Sequence, residues 1–252
     1  MNDILRLQKA LLREGLNPGP LDGKRGPRTQ AALDAWLTIV KGLPWGPDVS
    51  RWNPLRNWQA VKEGGASFAY CKATHGRSKD PAFIKNWVEI REAGLYRGAY
   101  HWLSPEINLE LQADAVFSAV GVLQPGDLPV AIDCERDGLG VDGLPGTADD
   151  VRATDDMFHR FARLVEERTG RAPMGYSYSY YLTDRRVASH GLPLWIADYR
   201  SGPPTLPDDW PGYAFHQFIG DAGRCPGVQG PCDLSRFNGG LEGLQRMAGL
   251  WA

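Results

Sequence analysis

From residue 48 onward, short apolar runs alternate with stretches of helical periodicity, a rhythm that few architectures accommodate. The strand-like runs are Asp48-Val49, Phe68-Ala69-Tyr70-Cys71, Gly98-Ala99-Tyr100 and Leu128-Pro129-Val130-Ala131-Ile132, with helical stretches over 57–63, 82–93 and 109–120 between them. Strand, crossing helix and strand make a parallel unit, and parallel sheets need both faces covered. Roughly 200 residues of this pattern suit a barrel. The later runs, Met174-Gly175-Tyr176-Ser177, Leu194-Trp195-Ile196-Ala197 and Tyr213-Ala214-Phe215-His216, follow with little helix between the last of them. The expected class is therefore α/β, an irregular (β/α) TIM-like barrel.

Residues 1 to 43 have a different character. Ile4, Leu7, Leu11 and Leu12 recur at helical spacing, as do Ala32, Trp36, Leu37 and Val40. The turn-rich segment 17–27 separates them, with Thr29 placed to cap the second helix. Pro44-Trp45-Gly46-Pro47 reads as a helix-breaking linker, giving a helical unit 1–43, a linker 44–47 and a barrel 48–252. Charge divides along the same boundary: seven Lys/Arg against four Asp/Glu in the first 43 residues, 21 against 26 in the remainder.

With 42% apolar residues in 252, the chain can bury a full core, and its net charge of −2 lacks the basic excess of a dedicated nucleic-acid binder. No apolar run approaches the ~18 residues of a membrane span, and the first residues lack the pattern of a signal peptide. Four cysteines are too few for a disulfide scaffold and are not spaced as a zinc ribbon. Cys225 and Cys232, in a Pro/Gly-rich loop, admit either a short bridge in an oxidising compartment or two free thiols.

In a parallel barrel, chemistry gathers where strands end. Asp133 and Glu135 close the run 129–132, and strand alternation points positions i and i+2 to one face, with Cα atoms roughly 6–7 Å apart. Two carboxyls sharing a pocket raise the pKa of at least one, which supplies a proton donor beside a carboxylate. A metal pair or a structural salt-bridge site remains open on residues alone. Asp48 and Asp198 also end apolar runs, so four carboxylates could converge. Gly175-Tyr176-Ser177-Tyr178-Ser179 lacks the second glycine of a nucleophile elbow, and the five histidines show no metal-ligand spacing. Tyr178, Tyr180 and Tyr181 read as core or rim. The acidic, glycine-rich stretch 137–150 should lie at the cleft rim, as a solvated loop or a calcium site, although it fails the EF-hand template.

The stretches Asp48-Val49-Ser50-Arg51-Trp52, Lys72-Ala73-Thr74, Gly98-Ala99-Tyr100-His101, Ile132-Asp133-Cys134-Glu135, Trp195-Ile196-Ala197-Asp198-Tyr199, His216-Gln217-Phe218 and Asp233-Leu234-Ser235-Arg236-Phe237 occur in order across residues 46 to 252. There the chain resembles the glycoside hydrolase family 25 lysozymes, which are N-acetylmuramidases. The resemblance implies cleavage of the β-1,4 bond between N-acetylmuramic acid and N-acetylglucosamine, with no metal or cofactor. It implies Glu135 as general acid, Asp133 as its partner, and Asp48 and Asp198 as further floor carboxylates. Tyr100, Trp102, Tyr176, Trp195, Tyr199, Gln217 and Asp233 would bind substrate. The chain departs at His75, where the family commonly has Glu.

Leu7-Gln8-Lys9-Ala10-Leu11, Gly19-Pro20-Leu21-Asp22-Gly23 and Gly26-Pro27-Arg28-Thr29 are similar to the peptidoglycan-binding domain 1 family, small three-helix modules that hold enzymes on bacterial walls. Together the two resemblances imply a monomeric wall lysozyme whose partner is peptidoglycan, not nucleic acid or membrane. It would be made in the cytoplasm without a signal peptide and reach the wall by phage-type release or secretion. A non-catalytic wall binder, or a hydrolase of another N-acetylated glycan, are the alternatives.

Overall fold

The computed structural model describes residues 2–53, 56–140, 143–144 and 147–251. Two helices come first, α1 (Asp3–Arg13) and α2 (Pro27–Val40). The barrel follows as β1 (Trp45–Val49), α3 (Trp58–Glu63), β2 (Phe68–His75), β3 (Ser78–Lys79), α4 (Phe83–Glu92), β4 (Tyr96–Trp102), α5 (Leu109–Val120) and β5 (Ala131–Asp133). Its second half is α6 (Asp155–Thr169), β6 (Met174–Tyr178), α7 (Ser179–Arg185), β7 (Leu194–Ala197), β8 (Phe215–Gly223), β9 (Cys232–Phe237) and α8 (Leu241–Met247).

The sheet runs β1-β9-β8-β7-β6-β5-β4-β2-β3 and closes through β1–β2, so eight strands form the barrel and β3 is an antiparallel appendage of β2. Strands β1, β2, β4, β5, β6, β7 and β8 are parallel in register, and β9 runs antiparallel to both its neighbours. That is the irregularity expected of the second half. No helix separates β7 from β8 or β8 from β9, so the chain turns straight back into the β8–β9 pair.

Period-2 alternation sorts each strand's residues between two cores. Phe68, Tyr70, Ala131, Met174, Tyr176, Trp195, Ala197 and Phe215 fill the lumen. Ala69, Cys71, Ile132 and Ile196 face outward, where the helices cover them with Phe83, Val116, Phe158 and Phe161. Helix α6 was not foreseen from the strand rhythm, yet it has a full apolar stripe, Phe158, Phe161, Ala162 and Val165. A Thr154 side-chain cap opens it and Gly170, in the left-handed region, ends it.

Two expectations are corrected here. Residues 45–47 are not a linker, because Trp45, Gly46 and Pro47 pair with Arg236, Ser235 and Leu234 inside the sheet. The glycine read as a breaker is required by close approach: a Cβ on Gly46 would lie 1.9 Å from the Phe68 carbonyl oxygen. Nor does Thr29 cap α2. Gly26 is the cap residue and Pro27 opens the helix, while the buried Thr29 hydroxyl donates to the Pro18 carbonyl at 2.9 Å and ties down the preceding turn.

The region before the barrel holds two helices among the described residues, where the resemblance implied three. Leu7, Leu11, Ala32, Leu33, Trp36 and Val40 form their own small core. The pair is fastened to the barrel, since Arg6 Nη1 donates to Thr205 Oγ1 at 3.1 Å and Trp36 lies 6.4 Å from His216, ring to ring. Cys225 and Cys232 are buried free thiols.

Candidate active site

The face to which each strand-end carboxyl points follows from its parity. Asp133 is in phase with the lumen residue Ala131, and Ile132 between them faces the helices. The register sets Trp102, Asp133 and Tyr176 side by side across β4, β5 and β6. At the closure, Asp48 of β1 pairs directly with Asp233 of β9. Asp48, Tyr100, Trp102, Asp133, Glu135, Tyr176, Trp195 and Asp233 thus line one cavity of about 90 Å³ at the C-terminal end of the parallel strands. It continues past Glu135 into a larger cleft walled by Tyr178, Tyr199 and Phe218.

Gln217, only 1% exposed, organises the floor from below. Its Nε2 donates to Asp48 Oδ2 at 2.9 Å and to Asp233 Oδ2 at 3.5 Å, and its Oε1 accepts from the Tyr176 hydroxyl at 2.8 Å and the Tyr199 hydroxyl at 2.7 Å. Trp195 is similarly deep. It packs against Tyr70 and Tyr176, its indole N–H donates to Ser235 Oγ at 3.0 Å, and it is almost wholly buried. Of the other rings expected to bind substrate, Tyr199 is exposed, whereas Tyr100 and Trp102 are half-buried with the Lys72 ammonium over them.

Burial dominates the electrostatics. It drives Asp133 well above the ordinary carboxyl range, Glu135 adds to the shift by repulsion, and Lys72 opposes it. Burial raises Glu135 too, against a Tyr178 hydrogen bond and the charges of Arg136 and Lys72. Asp48 is raised well above its usual value by burial and then by Asp233, whose own carboxyl is pushed up to about 7 by burial, Asp221 and Glu135. Asp133 Oδ1 and Asp233 Oδ1 are buried without a hydrogen-bond partner, a costly state that a bound ligand would relieve.

Asp198 does not join this group. It is out of phase with Trp195 and Ala197, which face the lumen, and so points outward. There it accepts from Arg200 Nε at 2.8 Å, Arg200 Nη2 at 2.7 Å and the Thr205 amide at 3.0 Å, with Arg6 Nη1 at 3.8 Å. Burial would raise its pKa, but the bonds from Arg200 and Thr205 hold it below the ordinary value. The fourth floor carboxylate is Asp233, expected only as a substrate contact.

Tyr178, read as core or rim, walls the cleft and also hydrogen-bonds Glu135, which was not foreseen, and Lys72 and Asp221 were given no role. Tyr178 had a signal, its parity with Tyr176 on β6. Asp155, His159 and His190 hold their ligand atoms within 4.8 Å of one another, a grouping that could take a metal ion. It lies outside the cleft-lining residues, and the spacing of its histidines in sequence gave no sign of it. The 137–150 loop, expected as a solvated loop or a calcium site, is partly described, with a Gly138–Val151 bridge, and its residues 141–142 and 145–146 lie outside the described residues.

Paired carboxyls raised by burial at the mouth of a (β/α) barrel are the equipment of a glycosidase. Residues 47–228 match the glycosyl hydrolases family 25, and the chain belongs to that family. It is 31% identical to Lysozyme M1 of Streptomyces globisporus, over 94% of this chain and 78% of that protein. It is 36% identical to the uncharacterized protein YegX of Escherichia coli O6:H1, over 79% of this chain and 71% of that one. The crystal structure of the bacterial lysozyme from Streptomyces coelicolor superimposes with a TM-score of 0.71 at 30% identity, covering 83% of this chain and 98% of that one.

Proposed function

We propose that this glycosidase is a lysozyme that hydrolyses the β-1,4 bond from N-acetylmuramic acid to N-acetylglucosamine in bacterial peptidoglycan. The observation that carries the reading is the Asp133–Glu135 pair: both carboxyls are raised by burial in one cavity, and Asp133 Oδ1 has no partner. Glu135 is half-buried and open to the larger cleft; burial favours its protonated form, and it delivers that proton to the leaving glycosidic oxygen. Asp133, whose carboxyl burial and Glu135 raise while Lys72 opposes the shift, acts on the other side of the bond, where positive charge develops at the anomeric carbon. Asp48 and Asp233 share a proton beneath them, their side chains hydrogen-bonded to each other. Tyr100 and Trp102 supply the stacking faces.

The helices of residues 2–43 are proposed to hold the enzyme on the wall. Their separate core and net positive charge support a binding role, and their attachment through Arg6 fixes them relative to the cleft. Tethering of this kind raises the local concentration of substrate. No helix among the described residues is long and apolar enough to cross a membrane.

The test is digestion of purified peptidoglycan by the wild type and by Glu135→Gln, with new reducing ends identified by mass spectrometry. Muramic-acid reducing ends from the wild type alone are expected. N-acetylglucosamine ends, or no cleavage with wall binding retained, would replace the reading with a different glycosidase or a non-catalytic binder.

A further inference from the structure

Beside the catalytic cavity lies a second one, of about 390 Å³, with the opposite charge. Four of its side chains are cationic, Arg51, Lys72, Arg77 and Lys79, against the acidic Asp80 and Glu106, while burial and Lys72 favour the neutral form of its His75. Asp80 is turned toward the backbone: its two oxygens accept from the amides of Arg51 at 3.2 Å and Ala82 at 2.9 Å. Among the described residues, none of Arg51, Lys72, Arg77 and Lys79 forms an ion pair, although Lys79 also donates to the Ser118 carbonyl at 3.2 Å. Half-buried Lys72 stands at the partition. Its Nζ is 4.5 Å from the centre of the Trp102 ring and 5.7 Å from that of Tyr100, both of which wall the catalytic cavity. His75 packs 5.5 Å from the same Trp102.

Unpaired cations converging on a concave space of small-ligand size, about 300–1,000 Å³ for such clefts, specify an anion. The catalytic side carries Asp48, Asp133, Glu135 and Asp233, which repel an anionic glycan. In peptidoglycan the anionic groups of the muramic acid residue are the carboxylates of the peptide on its lactyl group. We propose that the cavity beyond Trp102 binds the carboxylates of that peptide, so that the enzyme reads the stem as well as the sugar. The inference rests on the lysozyme reading and adds a subsite to it. Arg77 and Arg51 form the outer contacts, where guanidinium forks match carboxylates, and Lys72 forms the inner one.

The experiment compares three soluble, phosphate-free glycan chains: one bearing stem peptides, one stripped of them by an amidase with the freed lactyl carboxylates then converted to amides, and one whose stem carboxylates are converted to amides. For the wild type, KM for the peptide-bearing chain is expected to be about 5- to 10-fold lower than for the other two, and the difference should shrink in high salt. Arg77→Gln and the double variant Arg51→Gln/Arg77→Gln should lose that preference stepwise, with kcat unchanged and the stripped chain cut as by the wild type, which also shows that they are folded. Equal KM values for the three chains in the wild type would overturn the proposal, as would variants that slow all three alike. A low KM retained on the amidated chain would show recognition of the peptide without its charge and would also overturn it. Cleavage of none of the chains by the wild type would instead remove the lysozyme reading itself, and the subsite with it.

Discussion

Asp133 and Asp198 stand at the ends of two parallel strands of one barrel, both buried, and their carboxyls are driven in opposite directions. Asp133 is in phase with the lumen, meets Glu135 and keeps an oxygen without a partner. Asp198, one residue beyond β7, is in phase with the outward-facing Ile196 and is saturated by Arg200, Thr205 and Arg6. A shift of one residue between strand and carboxylate therefore separates a reactive group from a structural one. The same strand-end signature serves chemistry in one place, and in the other it fastens the N-terminal helices.

The comparison breaks most sharply on activity. Glu135→Gln should lower kcat by roughly 10²- to 10⁴-fold on purified peptidoglycan while leaving the thermal midpoint near that of the wild type. Asp198→Asn should do the reverse, costing on the order of 2 kcal/mol in a denaturant titration, with kcat on soluble glycan retained. Its pKa is depressed in the fold, so its contribution is present above the ordinary carboxylate pKa and is lost as pH falls through the folded value. Loss of turnover without loss of stability in Asp198→Asn would erase the distinction.

Asp233 carries the opposite linkage. Its folded pKa of about 7 exceeds the ordinary value, so the native state holds the extra proton and stability falls as pH rises between the two. Asp233→Asn should therefore stabilise the protein at pH 7 by on the order of 1 kcal/mol and flatten this part of the stability–pH curve. The smallest effect is expected at Tyr178, whose hydrogen bond favours the Glu135 carboxylate. Tyr178→Phe should move the alkaline limb of kcat/KM upward, because Glu135 then keeps its proton longer. A downward move would assign that limb to another group.

Much of this was legible in the residues. The βαβ rhythm, the positions of Asp133 and Glu135 and the two N-terminal helices follow from local pattern, which depends only on the period of the backbone. The eighth barrel strand, Cys232–Phe237, was not legible as a strand, because it runs antiparallel to its neighbours, outside the βαβ rhythm, and its pairing with β1 joins residues far apart in sequence. For the same reason Asp233 was underread. Its partner is Asp48, and only the closed sheet brings them together. Gly46 illustrates the limit of turn chemistry: a glycine between proline-flanked residues suits a linker, yet here it makes room for the Phe68 carbonyl.

The sequence by itself determined which residues can form strands and helices, that an acid pair closes a buried strand, and that a positively charged helical unit precedes the barrel. Such properties reside in neighbouring residues and their periodicity. Only the tertiary structure decided which face of each strand is the lumen, and hence that Asp48 and Asp233 enter the site while Asp198 leaves it. Sidedness is set by closure of the sheet and by what packs on either side, and no local window contains that information.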